Sequence, residues 1–313
     1  MNAPVLHHYP VSPFAEKIRA VLGYKKLDWQ SVTIPMMMPK PDLVALTGGY
    51  RRTPVLQTGA DVWCDTALIV RVIERLAPSP SLFAAGDTLA QQAIAHFADS
   101  VMFNLTVPIG FKPGGGMIKL FLPDATPEFL QAFGKDRAAM RQGSTVRRGP
   151  LAECRAYFQG LLPKIEAQLG AGFLFGAQPN AADFALYHVL WPVWRVEDTR
   201  GMFAAFPRTL GYMARMASLA PQVTPGEISA QKALEIALDA KPAPIPQPAA
   251  VETGDIALGE SVNVMPVDYA LDPVQGELLN CSADEIAVRR TDPRAGTVVV
   301  HFPRFGFQVV RAS

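Results

Sequence analysis

Cysteine is scarce in this sequence. The three present, Cys64, Cys154 and Cys281, lie far apart with no C-x-x-C spacing, which argues against a disulfide framework, a structural zinc site and a dithiol redox pair. No metal site is expected. A surplus of positive charge is also missing: 29 Lys and Arg stand against 28 Asp and Glu, so the chain lacks the basic excess of a phosphate-backbone binder. Nucleic acid is not an expected partner. No apolar run reaches the ~18 residues of a membrane-spanning helix, and the opening MNAPVLHHYP has neither a basic n-region nor an apolar h-region. A cytoplasmic protein with no membrane partner is expected. Gly114, Gly115 and Gly116 lack a following Lys-Ser/Thr pair, which argues against a phosphate loop, and the five histidines show no ligand spacing, so they are read as packing or surface residues.

Proline is abundant, and its distribution divides the chain. At 313 residues, with ~150 residues per ordinary domain, more than one domain is expected. KPAPIPQPAA, residues 241–250, reads as an extended linker because its prolines cannot continue a helix. Residues 1–80 alternate as βαβ then ββα: PVLHHYP, SPFAEKIRAVLGYKK and DWQSVTIP, a short irregular segment, then TPVLQTG, DVWC and DTALIVRVIERLA. Residues 88–238 carry helical patterns, including Phe158, Leu161, Leu162, Ile165 and Leu169 on one side of PLAECRAYFQGLLPKIEAQLG, which Pro163 is expected to kink. Val107 to Asp124, with three prolines and a glycine triplet, reads as a loop. Residues 251–313 form a small all-β unit in which SVNVMPV, ELLNC, EIAVRRT, TVVVHF and FQVVR are short strands separated by turn signals. Five strands in ~57 residues are expected to close into a small barrel of SH3-like type, since an open sheet would leave edges and little core. Such a unit should have its own core and be removable.

Four motifs in order carry a resemblance. They are Ser12-Pro13-Phe14 with Lys17 and Arg19, Thr53-Pro54-Val55-Leu56, Asp65-Thr66-Ala67-Leu68-Ile69, and GAQPNAADFALYHVLW. Together they resemble the glutathione transferase family over about residues 4–220. The resemblance implies a thioredoxin-like α/β domain followed by an all-α domain, with glutathione as co-substrate and a homodimer as the usual assembly. It says nothing about the C-terminal β unit, whose partner is unknown.

Ser12 before Pro13 is what a helix start looks like, the hydroxyl capping a free N–H. The same geometry favours an anion, because unpaired N–H groups and the positive helix end attract a thiolate. Lowering a thiol from ~8.5 to ~6.5 needs ~2.7 kcal/mol, within reach of a helix start plus one charge-assisted hydrogen bond. The resemblance implies that Ser12 stabilises the glutathione thiolate, with Tyr9 as the competing hydroxyl. It also implies a cis Thr53–Pro54 bond, backbone pairing of Thr53 with the cysteinyl part of glutathione, and Asp65 and Thr66 on its γ-glutamyl amine and carboxylate. Asp65 is equally a helix cap, and Arg52 could reach the glycyl carboxylate or stay solvated. The family usually has serine at the position of Thr66; threonine keeps the hydroxyl. Phe103, Phe111 and Met117 are candidates for an apolar co-substrate pocket. Asn180 and Asp183 have the spacing of a capping box and are assigned to folding, and Phe184, Tyr187, Trp191 and Trp194 to core.

The expected function is conjugation of glutathione to an apolar electrophile. The alternative is a glutathione-binding protein without turnover that engages a partner through its C-terminal β unit. Serine rather than cysteine at position 12 disfavours a reductase, since a hydroxyl cannot attack glutathione disulfide.

Overall fold

The computed structural model describes residues 3–84, 86–112, 114–170, 172–245 and 254–312. The first unit is β1 (Val5–His8), α1 (Pro13–Lys25), β2 (Gln30–Thr33), α2 (Pro41–Thr47), β3 (Val55–Thr58), β4 (Asp61–Cys64) and α3 (Thr66–Leu76). β1 pairs with β2 in parallel and with β3 antiparallel, and β3 pairs with β4. This is the thioredoxin-like arrangement. The segment read as irregular holds α2, which starts on Pro41, a residue whose fixed φ suits a first helical position.

The helical unit comprises α4 (Leu89–Phe97), a π-helical turn at Ala98–Met102, α5 (Phe103–Gly110), α6 (Gly116–Phe121), α7 (Pro127–Ala139), α8 (Leu151–Gln168), α9 (Ala181–Trp194), α10 (Glu197–Arg200) and α11 (Pro207–Ala217). The expected loop from Val107 to Asp124 is therefore largely helical. Pro108 sits inside α5, and the carbonyl it cannot bond, that of Asn104, faces the Cys154 thiol at 4.0 Å. Pro163 likewise lies within an unbroken α8. Asn180 and Asp183 form the capping box at the start of α9: Ala182 N donates to Asn180 Oδ1 at 2.9 Å and Asn180 N to Asp183 Oδ2 at 3.0 Å. Asp183 is buried, and burial raises its carboxyl to about 6 although backbone N–H groups of Leu174 and Asn180 oppose the shift. Phe184, Tyr187 and Trp191 are buried core, as expected.

β5 (Gly226–Glu227) adds to β2, and α12 (Ala230–Leu238) packs on α2. The C-terminal strands are β6 (Ser261–Pro266), β7 (Val274–Cys281), β8 (Glu285–Asp292), β9 (Gly296–Pro303) and β10 (Phe307–Arg311). They do not close into a barrel. Among the described residues the ten strands form one open sheet, ordered β10-β6-β7-β8-β9-β4-β3-β1-β2-β5. The reason is edge disposal: β4 would end the thioredoxin-like sheet with unpaired backbone groups, and β9 pairs with it in parallel, Asp61 to Val299 and Trp63 to His301. One pairing removes an edge from each half. The C-terminal strands also lack a core of their own, since Phe302 and Phe307 pack on Tyr50 of the first unit. Even the proline stretch is tied down, for Ala243 N donates to Asp61 Oδ2 at 2.8 Å; residues 246–250 of the expected linker lie outside the described residues.

The seam carries a buried charge relay. On β9, His301 Nδ1 meets Glu285 Oε1 at 2.7 Å and Nε2 meets Asp61 Oδ1 at 3.1 Å, and the ring stacks on Trp63 at 3.8 Å. A neutral imidazole donates only one hydrogen bond, so two carboxylates are both satisfied only by the protonated ring. Burial alone would push His301 down, but the bonds to Asp61 and Glu285 outweigh it and raise it above its ordinary 6.5. Stability from this relay is thus fully present below 6.5 and lost as pH rises through the raised folded value. His7 and His8 work oppositely: burial lowers them to about 4 and about 3, with Arg19 adding to the effect at His8, so their contribution is lost as pH falls below 6.5. A His301→Gln variant should be less stable by ~3 kcal/mol at pH 6, and its difference from wild type should shrink as pH rises. Urea unfolding at several pH values reads this. A difference independent of pH contradicts a protonated relay.

Candidate functional site

α1 begins at Pro13 because Ser12 caps it. Ser12 has extended backbone and accepts the Ala15 N–H through its Oγ at 3.2 Å. It is buried, and because its oxygen already accepts, its own proton is free to be donated to something else at the helix start. Tyr9 is adjacent, its carbonyl accepting Ser12 N at 3.2 Å, while its ring lies 5.7 Å from the Lys40 ammonium. Tyr9, Pro10 and Val11 also open onto a cleft of about 500 Å³, whose other walls include Ile34, Met36 to Met38, Phe121 and Phe129. The apolar side chains make this a pocket for an apolar group.

Thr53–Pro54 is cis, as the resemblance implies; Met38–Pro39 and Ser79–Pro80 are also cis. Among the described residues the Thr53 N–H has no hydrogen-bond partner. Lys40, buried between Pro39 and Pro41, donates to Thr53 Oγ1 at 3.3 Å and to the Arg51 carbonyl at 3.4 Å. Burial, with Arg137 adding to it, lowers the Lys40 ammonium to about 8. Sequence reading missed this residue. The Pro39-Lys40-Pro41 triplet that fixes the backbone on both sides was the available signal.

Asp65 caps α3, accepting Ala67 N at 2.9 Å. Capping alone does not explain its backbone. Ser12, Thr88 and Asn180 cap their helices with φ of −73°, −79° and −127°, whereas Asp65 stands at +72°. Such a conformation costs ~1–3 kcal/mol for a residue other than glycine and concentrates at functional positions. Burial, with Asp99 adding to it, raises the Asp65 carboxyl above its ordinary value against the pull of Arg52. Thr66 accepts from Lys17 Nζ at 3.1 Å, which leaves the threonine proton free, and Lys17 also pairs with Asp99 at 2.7 Å. Asp99 lies in the π-helical turn, so a salt bridge from the helical unit positions Thr66 through α1.

Arg52 does not reach outward to a solvated ligand position. Its guanidinium donates to the Asp268 carboxylate and the Tyr269 carbonyl, lies 4.0 Å from the Tyr269 ring and 4.0 Å from Asp65 Oδ2. The α1 start, the Thr53 backbone and the α3 start are thus linked by Lys17, Lys40 and Arg52. Phe103, Phe111 and Met117 are not among the residues lining the cleft: Phe103 stacks on Phe14 at 4.6 Å, Phe111 caps α5, and Met117 is buried inside α6. The aromatic lining comes from Phe121 and Phe129 slightly downstream. Among the described residues no group of three or more His, Cys, Asp or Glu is arranged to hold a metal ion, and no helix is long and apolar enough to cross a membrane.

A thioredoxin-like sheet followed by an all-helical unit, with a serine-capped α1 beside a cis proline and an acidic α3 cap, defines the class. Residues 6–81 match the glutathione S-transferase N-terminal domain and residues 148–215 the glutathione S-transferase C-terminal domain. The crystal structure of a GST-like protein from Pseudomonas syringae is 37% identical over 100% of both chains, with a TM-score of 0.82. The chain belongs to the glutathione S-transferase family. Two further solved structures share part of the fold: FzlA from C. crescentus, 23% identical over 71% of this chain and 92% of its own with a TM-score of 0.49, and a glutathione S-transferase from Rhodospirillum rubrum F11, 19% identical over 69% and 88% with a TM-score of 0.49. Among the curated proteins, none matches this chain.

Proposed function

We propose that this chain binds glutathione and transfers it, as the thiolate, to an apolar electrophile. The observation that carries the reading is Ser12: its oxygen is committed to Ala15 N and its proton is free at the start of α1, beside an apolar cleft. In this reading the peptide lies along the Thr53 backbone, with its sulfur at Ser12. Donation from the Ser12 hydroxyl and the positive helix end favour the ionised thiol. Its proton leaves to solvent, and the sulfur lone pair forms the S–C bond to an electrophilic carbon held in the cleft as the leaving group departs or a π bond opens. The Thr66 hydroxyl and N–H at the α3 start take the γ-glutamyl carboxylate and Asp65 its amine. Lys40, which already sits on Thr53, takes the glycyl carboxylate in place of Arg52, whose guanidinium is engaged by Asp268 and Tyr269. A homodimer in the cytoplasm goes with the family and belongs to the same proposal.

A ligand that binds only the folded state stabilises it by RT ln(1 + [L]/Kd), about 2.7 kcal/mol at a hundredfold excess over Kd. Glutathione at millimolar concentration should therefore raise the melting temperature of the full chain by several degrees. Differential scanning fluorimetry reads this, and an unchanged melting temperature contradicts the assignment.

A further inference from the structure

Residues 267–273, which join β6 to β7, are longer than the two residues that suffice to turn an antiparallel pair. The extra length bridges the helical unit and the candidate site. On one side, Asp268 O accepts Thr145 N at 3.0 Å and Ala270 N donates to Met140 O at 2.7 Å, with Ala270 held at φ +48°. On the other, Asp268 and the Tyr269 carbonyl accept from Arg52, and the Tyr269 ring covers it.

A single guanidinium therefore stands between two carboxylates from distant parts of the chain, Asp65 and Asp268. That trio has one negative charge in excess. The nearby cations do not cancel it directly: Lys17 is closed on Asp99 at 2.7 Å, and Arg148 donates to Asn104 Oδ1 at 3.2 Å rather than to either carboxylate. The Arg52 Nε–H, moreover, is buried and has no acceptor among the described residues. A buried donor without a partner and a buried carboxylate without a counter-ion are both unfavourable, and both are relieved by one kind of ligand. It must present an ammonium and a carboxylate on the same carbon, which is an α-amino acid head.

Resting on the glutathione reading above, we propose that Asp268 of the C-terminal sheet is a specificity-determining residue for the γ-glutamyl end of the peptide, sharing its ammonium with Asp65 while the Arg52 Nε–H and the α3 start take its carboxylate. Tyr269 keeps water from the guanidinium and so strengthens these charge contacts. The appended strands then complete a site that the first unit leaves half built.

The test measures the affinity of the full-length chain for glutathione and for its deamino analogue, in which glutaryl replaces γ-glutamyl, by calorimetry. Wild type should bind glutathione at least about tenfold more tightly than the analogue. In Asp268→Asn that ratio should fall several-fold, chiefly through weaker binding of glutathione. An unchanged ratio in a variant that still binds glutathione overturns the role of Asp268 and leaves the glutathione reading intact. Wild type that binds neither compound overturns the glutathione reading, and this inference with it. Should Asp268→Asn fail to fold, Asp268→Glu keeps a charge on Arg52 but moves the carboxylate by one methylene, and the same fall in ratio is expected; an unchanged ratio there overturns the role equally.

Discussion

A chain ending at Ala240 should accumulate as insoluble protein rather than as a smaller folded one. Truncation there strips β9 from β4, leaving the Asp61–Trp63 edge without its parallel partner. It also removes His301 from buried Asp61, Asp268 from Arg52, and Phe302 and Phe307 from Tyr50. Deleting one partner of a buried ion pair costs ~3–5 kcal/mol, and two such losses approach the whole ~5–15 kcal/mol that separates a folded domain from its unfolded chain. The bare edge would then template association with other chains. Expressing residues 1–240 beside the full chain, and measuring soluble yield and cooperative unfolding, checks this. A soluble truncation with a sharp transition and undiminished glutathione affinity would show that the C-terminal strands are an accessory.

Much of this architecture was legible from local chemistry. Ser12-Pro13, Asp65-Thr66 and Asn180 with Asp183 mark helix starts because a side chain must satisfy free N–H groups there, and each of these three helices begins where its cap stands. The five C-terminal strands were equally readable from alternation and turn residues. What they pair with was not. Period-two alternation identifies a strand but is silent about which edge it joins, so β9 beside β4 is a long-range choice that no window of residues encodes. The site divides the same way: Ser12, Thr53, Asp65 and Thr66 sit in recognisable motifs, whereas Lys40, Asp99 and Asp268 reach it only through tertiary folding. Arg52 shows the cost of reading locally. Its neighbour in the motif suggested an outward-facing ligand contact, and the partner that claims it stands 216 positions along the chain.

The second large effect concerns Ser12. Replacing it with alanine deletes a hydroxyl that plays two parts, and their magnitudes separate them. Loss of the cap to Ala15 N costs ~1 kcal/mol of stability, which a folded chain of this size tolerates. Loss of a hydrogen bond to a thiolate costs ~1.5–3 kcal/mol in the ionised state alone, equivalent to raising the bound thiol by ~1–2 pH units. Conjugation near neutral pH should accordingly fall by ~10–100-fold while glutathione affinity changes little, because the peptide remains held at Thr53, Thr66 and Asp65. Tyr9, whose ring lines the cleft and lies near Lys40, is the only other hydroxyl raised for this part. Titrating the thiolate absorbance of glutathione bound to wild type and to Ser12→Ala, from acid to alkaline pH, tests the central claim most directly. Wild type should ionise bound glutathione well below its free value and Ser12→Ala close to it; superimposable curves would contradict the claim and leave Ser12 as a helix cap.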